Sequence, residues 1–323
     1  MANSINSIST GTGGLQSIAD GTSGNLLIQK DAGTIATFSA TGVVVSGVVA
    51  ATTLTGDGSA LTGIATSGNN KIINGDFAVN QRAVSGTVSL SSGEYGHDRF
   101  KAGSSGATYT FATSENVTTI TITAGTLQQV IDGNNLQSGT HTLSWTGTAQ
   151  GKIGGGSFAA TGVTGTATGG TNLTIEFNTG TITKVQLELG SSATAFEYLL
   201  YANQYTLCQR YYQKYLNDSG ATGEGFWGTG LQDSTTSFVG GFIFQTPMRI
   251  QPTAFETTGT ATDYKVQIKG NSSVTCSSVP TVTGMTSWGA RLVFTTASGL
   301  TAGEAGIYRS NTTAAYVAWS AEL

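Results

Sequence analysis

Charge is what this chain has least of. Only 10% of its 323 residues are Asp, Glu, Lys or Arg, against about 25% in ordinary globular proteins. Fourteen basic and eighteen acidic residues leave a net charge of -4. No basic stripe exists to follow a phosphate backbone, so nucleic acid is not an expected partner. Disorder is not expected either, because it combines high net charge with low hydrophobicity, and 38% of this chain is hydrophobic. Cysteine is almost absent. Cys208 and Cys276 form no CxxC pair and no zinc spacing, so two buried free thiols are expected rather than a disulfide framework. Long apolar runs are missing as well. The longest, near Val43 to Ala51, is broken by Ser46 and Gly47, far short of the ~20 residues of a membrane helix. The N-terminus has neither a basic region nor an apolar stretch of the secretory type. The expected product is made in a cytoplasm, is soluble, and is not inserted in a membrane.

What is abundant is glycine, with 46 residues, together with Thr, Ser and β-branched side chains. Such a chain fits stacked or intertwined β-structure. Residues 1–68 read as short strands punctuated by glycine, with a hairpin about Asp31-Ala32-Gly33. Val43–Val45 and Val48–Val49 suggest a second strand pair. Large side chains are too few here to fill a core, so order would come from copies packing on one another. Residues 69–199 carry strand signals near 107–113, 117–123, 140–147, 157–160, 171–178 and 181–189, separated by turns at sandwich-like spacing. In residues 200–323, Tyr201, Tyr205 and Cys208 have the spacing of a short helix. Gln209 to Tyr215 either continue it or turn into a strand. Further strands are expected near 237–245, 264–269, 291–295 and 314–322.

Several motifs stand out. Gln186-Leu187-Glu188, Gly190-Ser191, Thr194 and Phe196-Glu197 lead to Cys208-Gln209-Arg210-Tyr211-Tyr212. Upstream lie Asn74-Gly75-Asp76-Phe77, Asn80-Gln81-Arg82 and Tyr95-Gly96-His97-Asp98-Arg99-Phe100. Downstream lie Phe244-Gln245-Thr246-Pro247-Met248-Arg249 and the final Ser320-Ala321-Glu322-Leu323. Together with Gly56-Asp57-Gly58-Ser59-Ala60-Leu61-Thr62-Gly63, these resemble the joints, linkers and head domains of bacteriophage tail-fibre proteins. Phe100 stands where that family has Trp.

The resemblance implies an all-β fold: a Gly/Thr-rich N-terminal β-shaft over 1–68, then two β-sandwich, jelly-roll-like domains over 69–199 and 200–323, intertwined as a homotrimer. It implies a virion protein held to the tail or another phage structural protein through its N-terminal segment. Its function would be adhesion to a host surface glycan or protein. The alternatives are a capsid-decorating or passive structural fibre without a receptor, and a polysaccharide-cleaving tailspike. The chain is expected to end where such a fibre ends. One structural calcium is compatible with the family, with no ligands assigned, and no other cofactor or metal is expected.

Catalytic signals are thin. His97 and His141 are the only histidines, and no nucleophile elbow accompanies His97-Asp98. Glu94 with Asp98, and Asp218 with Glu224, are the close carboxylate pairs. They read as solvated loop charges rather than facing glycosidase carboxyls, so no enzyme is expected. Trp145 and Trp319 lie in strand alternation and read as core. Trp227, in a glycine-rich loop, is the leading receptor-contact candidate, with Phe226, Glu224 and Trp288 beside it. Tyr201, Tyr205 and Tyr212 are assigned to holding domains or subunits together. Arg99, Arg210 and Arg249 are assigned to buried or interfacial hydrogen bonds with Asp98, Glu188 or Glu197.

Overall fold

The structure, a computed structural model, describes residues 70–217 and 224–323 in full and the backbone of four strands nearer the N-terminus. The chain divides into two compact units, residues 1–61 and 62–323. In the first, β1 (Gln16–Ala19), β2 (Leu26–Lys30), β3 (Gly33–Ser39) and β4 (Gly42–Val45) form an antiparallel sheet in chain order. The hairpin expected about Asp31 to Gly33 is present, with Leu26 opposite Phe38 and Ile28 opposite Ala36. Val43–Val45 pair with β3. Val48–Val49 and the motif Gly56 to Gly63 lie outside the described residues.

The second unit holds two β-rich lobes, each with its own apolar core. The first lobe contains β5 (Val88–Leu90), β6 (Lys101–Ser114), β7 (Val117–Ile131), β8 (Gly139–Thr146), β9 (Gly151–Ile153), β10 (Val163–Ala167), β11 (Leu173–Phe177) and β12 (Gly180–Leu189). The long strand β7 pairs with β6, β11 and β12 along its length. Alternate residues Thr118, Ile120 and Ile122 turn inward, the period-two pattern of a half-buried strand. Ile120 and Ile122 meet Phe77, Phe100, Tyr109, Phe177, Val185 and Leu187 in one core. The strand expected at 157–160 is not one. Beyond Gly154, which has a φ of 56°, the chain makes only an isolated bridge between Ala159 and Gly151, and the pairing resumes at β10.

The second lobe begins with α1 (Tyr201–Gln209), which turns directly into β13 (Tyr212–Leu216). A seven-stranded sheet has the order β18 (Ser273–Thr275), β17 (Tyr264–Gln267), β21 (Ala305–Ser310), β14 (Phe226–Gln232), β15 (Ser237–Ile243), β20 (Gly289–Thr295) and β19 (Thr281–Thr283). A three-stranded sheet sets β22 (Tyr316–Ser320) between β13 and β16 (Ala254–Thr257). Trp319 is fully buried, with Phe242, Phe244 and Phe255 at ring-centroid distances of 4.4, 5.2 and 5.3 Å. Trp145 is likewise core, edge-on to Phe177. Both cysteines are free and buried. Burial raises the Cys208 thiol well above its usual pKa and pushes Cys276 up to about 12, so neither presents a reactive thiolate at neutral pH. Among the described residues no helix is long and apolar enough to cross a membrane.

Candidate functional site

The motif residues that the structure describes, from Asn74 onward, gather near the joint between the two lobes. On the first lobe, the loop after Asn70 is set by Asn74, whose φ of 63° suits asparagine. Its side-chain amide donates to the carbonyls of Val79 and Asp98, and its Oδ1 accepts from the Val79 amide. Gly75 must be glycine for want of space: a Cβ there would lie 2.1 Å from the Val185 carbonyl oxygen. Phe77 and Arg99 both have positive φ, 55° and 70°, a conformation that bulky residues adopt only when their surroundings enforce it. Gln81 supplies part of that enforcement. Its backbone and side-chain nitrogens both donate to Asp98, each at 2.6 Å, and the side chain also reaches the Tyr212 carbonyl at 2.8 Å. Asp98 is thus consumed in fixing the turn, although burial raises its pKa.

His97 sits inside the same turn. The Tyr109 hydroxyl accepts from its backbone N–H at 3.1 Å and shares a hydrogen bond with Nδ1 at 3.0 Å. Phe111 and Phe77 meet its ring edge-on. Burial lowers its pKa from 6.5 to about 4. The unfolded chain therefore binds a proton between those values that the folded chain refuses, and stability falls as pH drops through the window. Asp98 works in the opposite sense, because its raised pKa makes the folded state the better proton binder. A comparison of the parent with His97→Gln isolates the histidine. The parent is expected to lose about 3 kcal/mol more than the variant between pH 7 and pH 4. Parallel urea titrations with no difference in pH slope would contradict this.

The second lobe meets this surface with α1, the Tyr211-Tyr212 pair, Arg249 and residues 321–323. Gln204 of α1 accepts from the Asn74 amide and donates to Asp76. Glu322 enters between Arg99, which is 1% exposed, and Arg82. Each arginine lies over a tyrosine: Arg99 is 3.6 Å from the Tyr211 ring centroid and Arg82 is 3.7 Å from that of Tyr212. Such cation–π contacts are strongest where water is excluded. Arg99 also donates to the Val130 carbonyl at 2.7 Å. Desolvation opposes the charge on Arg99, yet the Glu322 carboxylate beside it leaves its pKa raised. Arg249 donates to the carbonyls of Ala321 and Glu322, while Tyr95 and Lys101 donate to the Leu323 oxygen at 2.5 and 2.6 Å.

The motif at Gln186 to Glu197 has a related use. Glu188 accepts from both the backbone and the hydroxyl of Thr194. Gln186 accepts from the Glu197 amide, and Glu197 accepts from the Asn70 amide. These bonds fold the connection between the lobes back onto β12. The carboxylate partners expected for the arginines need correcting accordingly: Asp98 is held by Gln81, Glu188 accepts from Thr194 and Glu197 from Asn70, and Arg99 pairs with Glu322. Arg210 is exposed, and its backbone carbonyl accepts from the Arg249 amide.

The receptor-contact candidates do not form one group. Trp227 is no loop residue. It lies in β14, partly buried against the second core and 5.9 Å from the Tyr264 ring, because the segment from Phe226 onward pairs with β21. Phe226 and Trp288 are exposed, at 64% and 67%. Glu224 pairs with Lys265 and Arg309, and the hydrogen bond from Lys265, together with the two positive charges, holds its carboxyl below the usual range. Tyr212 is buried in the joint, whereas Tyr201 is exposed and stacked on Tyr205.

Glu94 caps its own turn by accepting from the Ser91 amide, and Asp218 lies outside the described residues. No group of three or more His, Cys, Asp and Glu residues could hold a metal ion among the described residues. The arrangement is that of a cross-braced joint. Most of its charged groups bond to one another, to backbone or to side-chain amides. No protein-family model matches the chain, and comparison with curated proteins finds no match.

Proposed function

We propose that this protein is a fibre-like component of a phage virion that adheres to the host cell surface without covalent chemistry. One observation carries the reading. The described residues that resemble tail-fibre motifs, bonded across as many as 240 positions of the chain, gather at a buried joint between two β lobes. A molecule that transmits load between a particle and a cell needs such a joint, and the joint's arginines are already bound to Glu322 and to backbone. In this reading the chain works as a homotrimer, the N-terminal residues 1–68 attach to the tail, and several weak contacts on each fibre give avidity.

The test is electron microscopy of particles carrying a gold-labelled version of the protein, with adsorption of the purified full-length chain to susceptible cells. Label on the tail together with cell binding is expected. Label on the capsid with no adsorption would replace the adhesin with a decorating protein.

A further inference from the structure

A cleft of about 800 Å³ opens beside the joint, within the roughly 300–1,000 Å³ typical of small-ligand sites. Its floor carries Asp76, only 7% exposed. One carboxylate oxygen, Oδ1, accepts from the Gln204 side chain at 2.8 Å and from the Ala78 amide at 3.4 Å. The Asp76 backbone N–H also donates to the carboxylate, and the second oxygen takes no hydrogen bond from another described residue. No cation pairs with Asp76 among the described residues. A desolvated carboxylate with a second oxygen that meets no other described residue can accept from a donor brought into the cleft.

The walls supply the complementary groups. Lys184 sits at a break in the β12 register between Thr183 and Gln186, with a φ of 53°. Its ammonium lies 5.3 Å from the Tyr198 ring centroid and pairs with no carboxylate among the described residues. Asn116, at the β6–β7 hairpin tip, adds an amide at the rim. Tyr198 and Tyr201 line the cleft and are each 59% exposed. Neither ring is loose. Tyr198 stands edge-on to Phe196 at 4.9 Å, and Tyr201 is stacked on Tyr205 at 6.0 Å.

Two exposed, propped aromatic rings, one buried acceptor and one unpaired donor fit a polyhydroxylated ring. Its C–H face covers a tyrosine, one hydroxyl donates to Asp76 and another accepts from Lys184. A divalent cation fits poorly, because Asp76 and Glu115 are the only carboxylates in the lining and Lys184 stands with them. We infer that this cleft is a saccharide site taking pyranose units of a surface glycan. The inference rests on the adhesion reading and gives it a place other than Trp227.

The experiment measures binding of the full-length protein to oligosaccharides released from the surface polysaccharide of a strain to which it adsorbs. Tyr198→Ala and Tyr201→Ala are each expected to weaken binding tenfold or more. Lys184→Asn, whose side chain tolerates the same backbone conformation, should weaken it several-fold, and Ile243→Ala, at an exposed position away from the cleft, should leave it unchanged. Adsorption to cells with no oligosaccharide binding, or binding kept by both tyrosine variants, overturns the inference while sparing the adhesion reading. Dissociation of an oligomer by either tyrosine variant, seen by sedimentation, also overturns it, since the rings would then face a second copy. Failure to adsorb to any susceptible strain removes the adhesion reading and this site with it.

Discussion

Arg99→Ala is expected to destabilise the protein by about 3–5 kcal/mol, the usual result of removing one partner from a buried ion pair. Arg99 and Glu322 have side chains 1% and 4% exposed. Without Arg99, Glu322 keeps only the 3.5 Å contact to Arg82, and water does not reach it freely. The Val130 carbonyl loses its donor and the Tyr211 ring loses its cover. Alanine is no easier than arginine at a φ of 70°, so backbone strain does not offset the loss. Arg99→Lys should recover only part of the cost, because lysine has neither the fork nor the flat face. Arg99→Met with Glu322→Met should cost less than the two single changes added together. The measurement is the shift of the urea midpoint at constant slope. A loss below about 1 kcal/mol for Arg99→Ala would show that the joint does not depend on this pair.

Trp319→Ala is expected to cost a similar amount, about 3–5 kcal/mol, for a different reason. Trp319 fills the centre of the second core, and four rings lie within 5.9 Å of its own. Deleting it leaves a cavity that β-sheets on both sides cannot collapse to fill. Its Nε1 has no hydrogen-bond partner among the described residues, so Trp319→Phe removes that donor while keeping most of the packing. The phenylalanine variant should lose less than half of what alanine loses. Thermal melts of the two variants decide the matter, and equal losses would mean that the indole nitrogen matters after all.

Much of the fold is legible in the sequence because strands advertise themselves locally. β7, β8, β12, β15 and β20 follow from alternation and turn residues, and the core positions of Trp145 and Trp319 follow from the same pattern. β14 is missed because its glycines, Gly228 and Gly230, read as loop. They are needed because Tyr308 and Val239 come too close for any Cβ. The joint is harder to see. The tyrosines and arginines are visible as motifs, but Glu322 carries no signal of its partner, since Arg99 is 223 positions away and nearer carboxylates offer themselves first. The Asp76 cleft is invisible for the same reason: Asp76, Lys184 and Tyr201 come from a loop, a strand irregularity and a helix.

That separation bears on the order in which the molecule assembles. Domains form as units during synthesis, the N-terminal ones first, and contacts between distant positions carry a closure cost before they give anything back. The two arginines of the first lobe wait for a counter-charge until residues 321–323 have been made and β22 has docked. The clasp therefore closes last, after both cores exist. In kinetic terms, the cost of Arg99→Ala should fall almost wholly on the unfolding rate, so the joint acts less as a guide to folding than as a brake on coming apart.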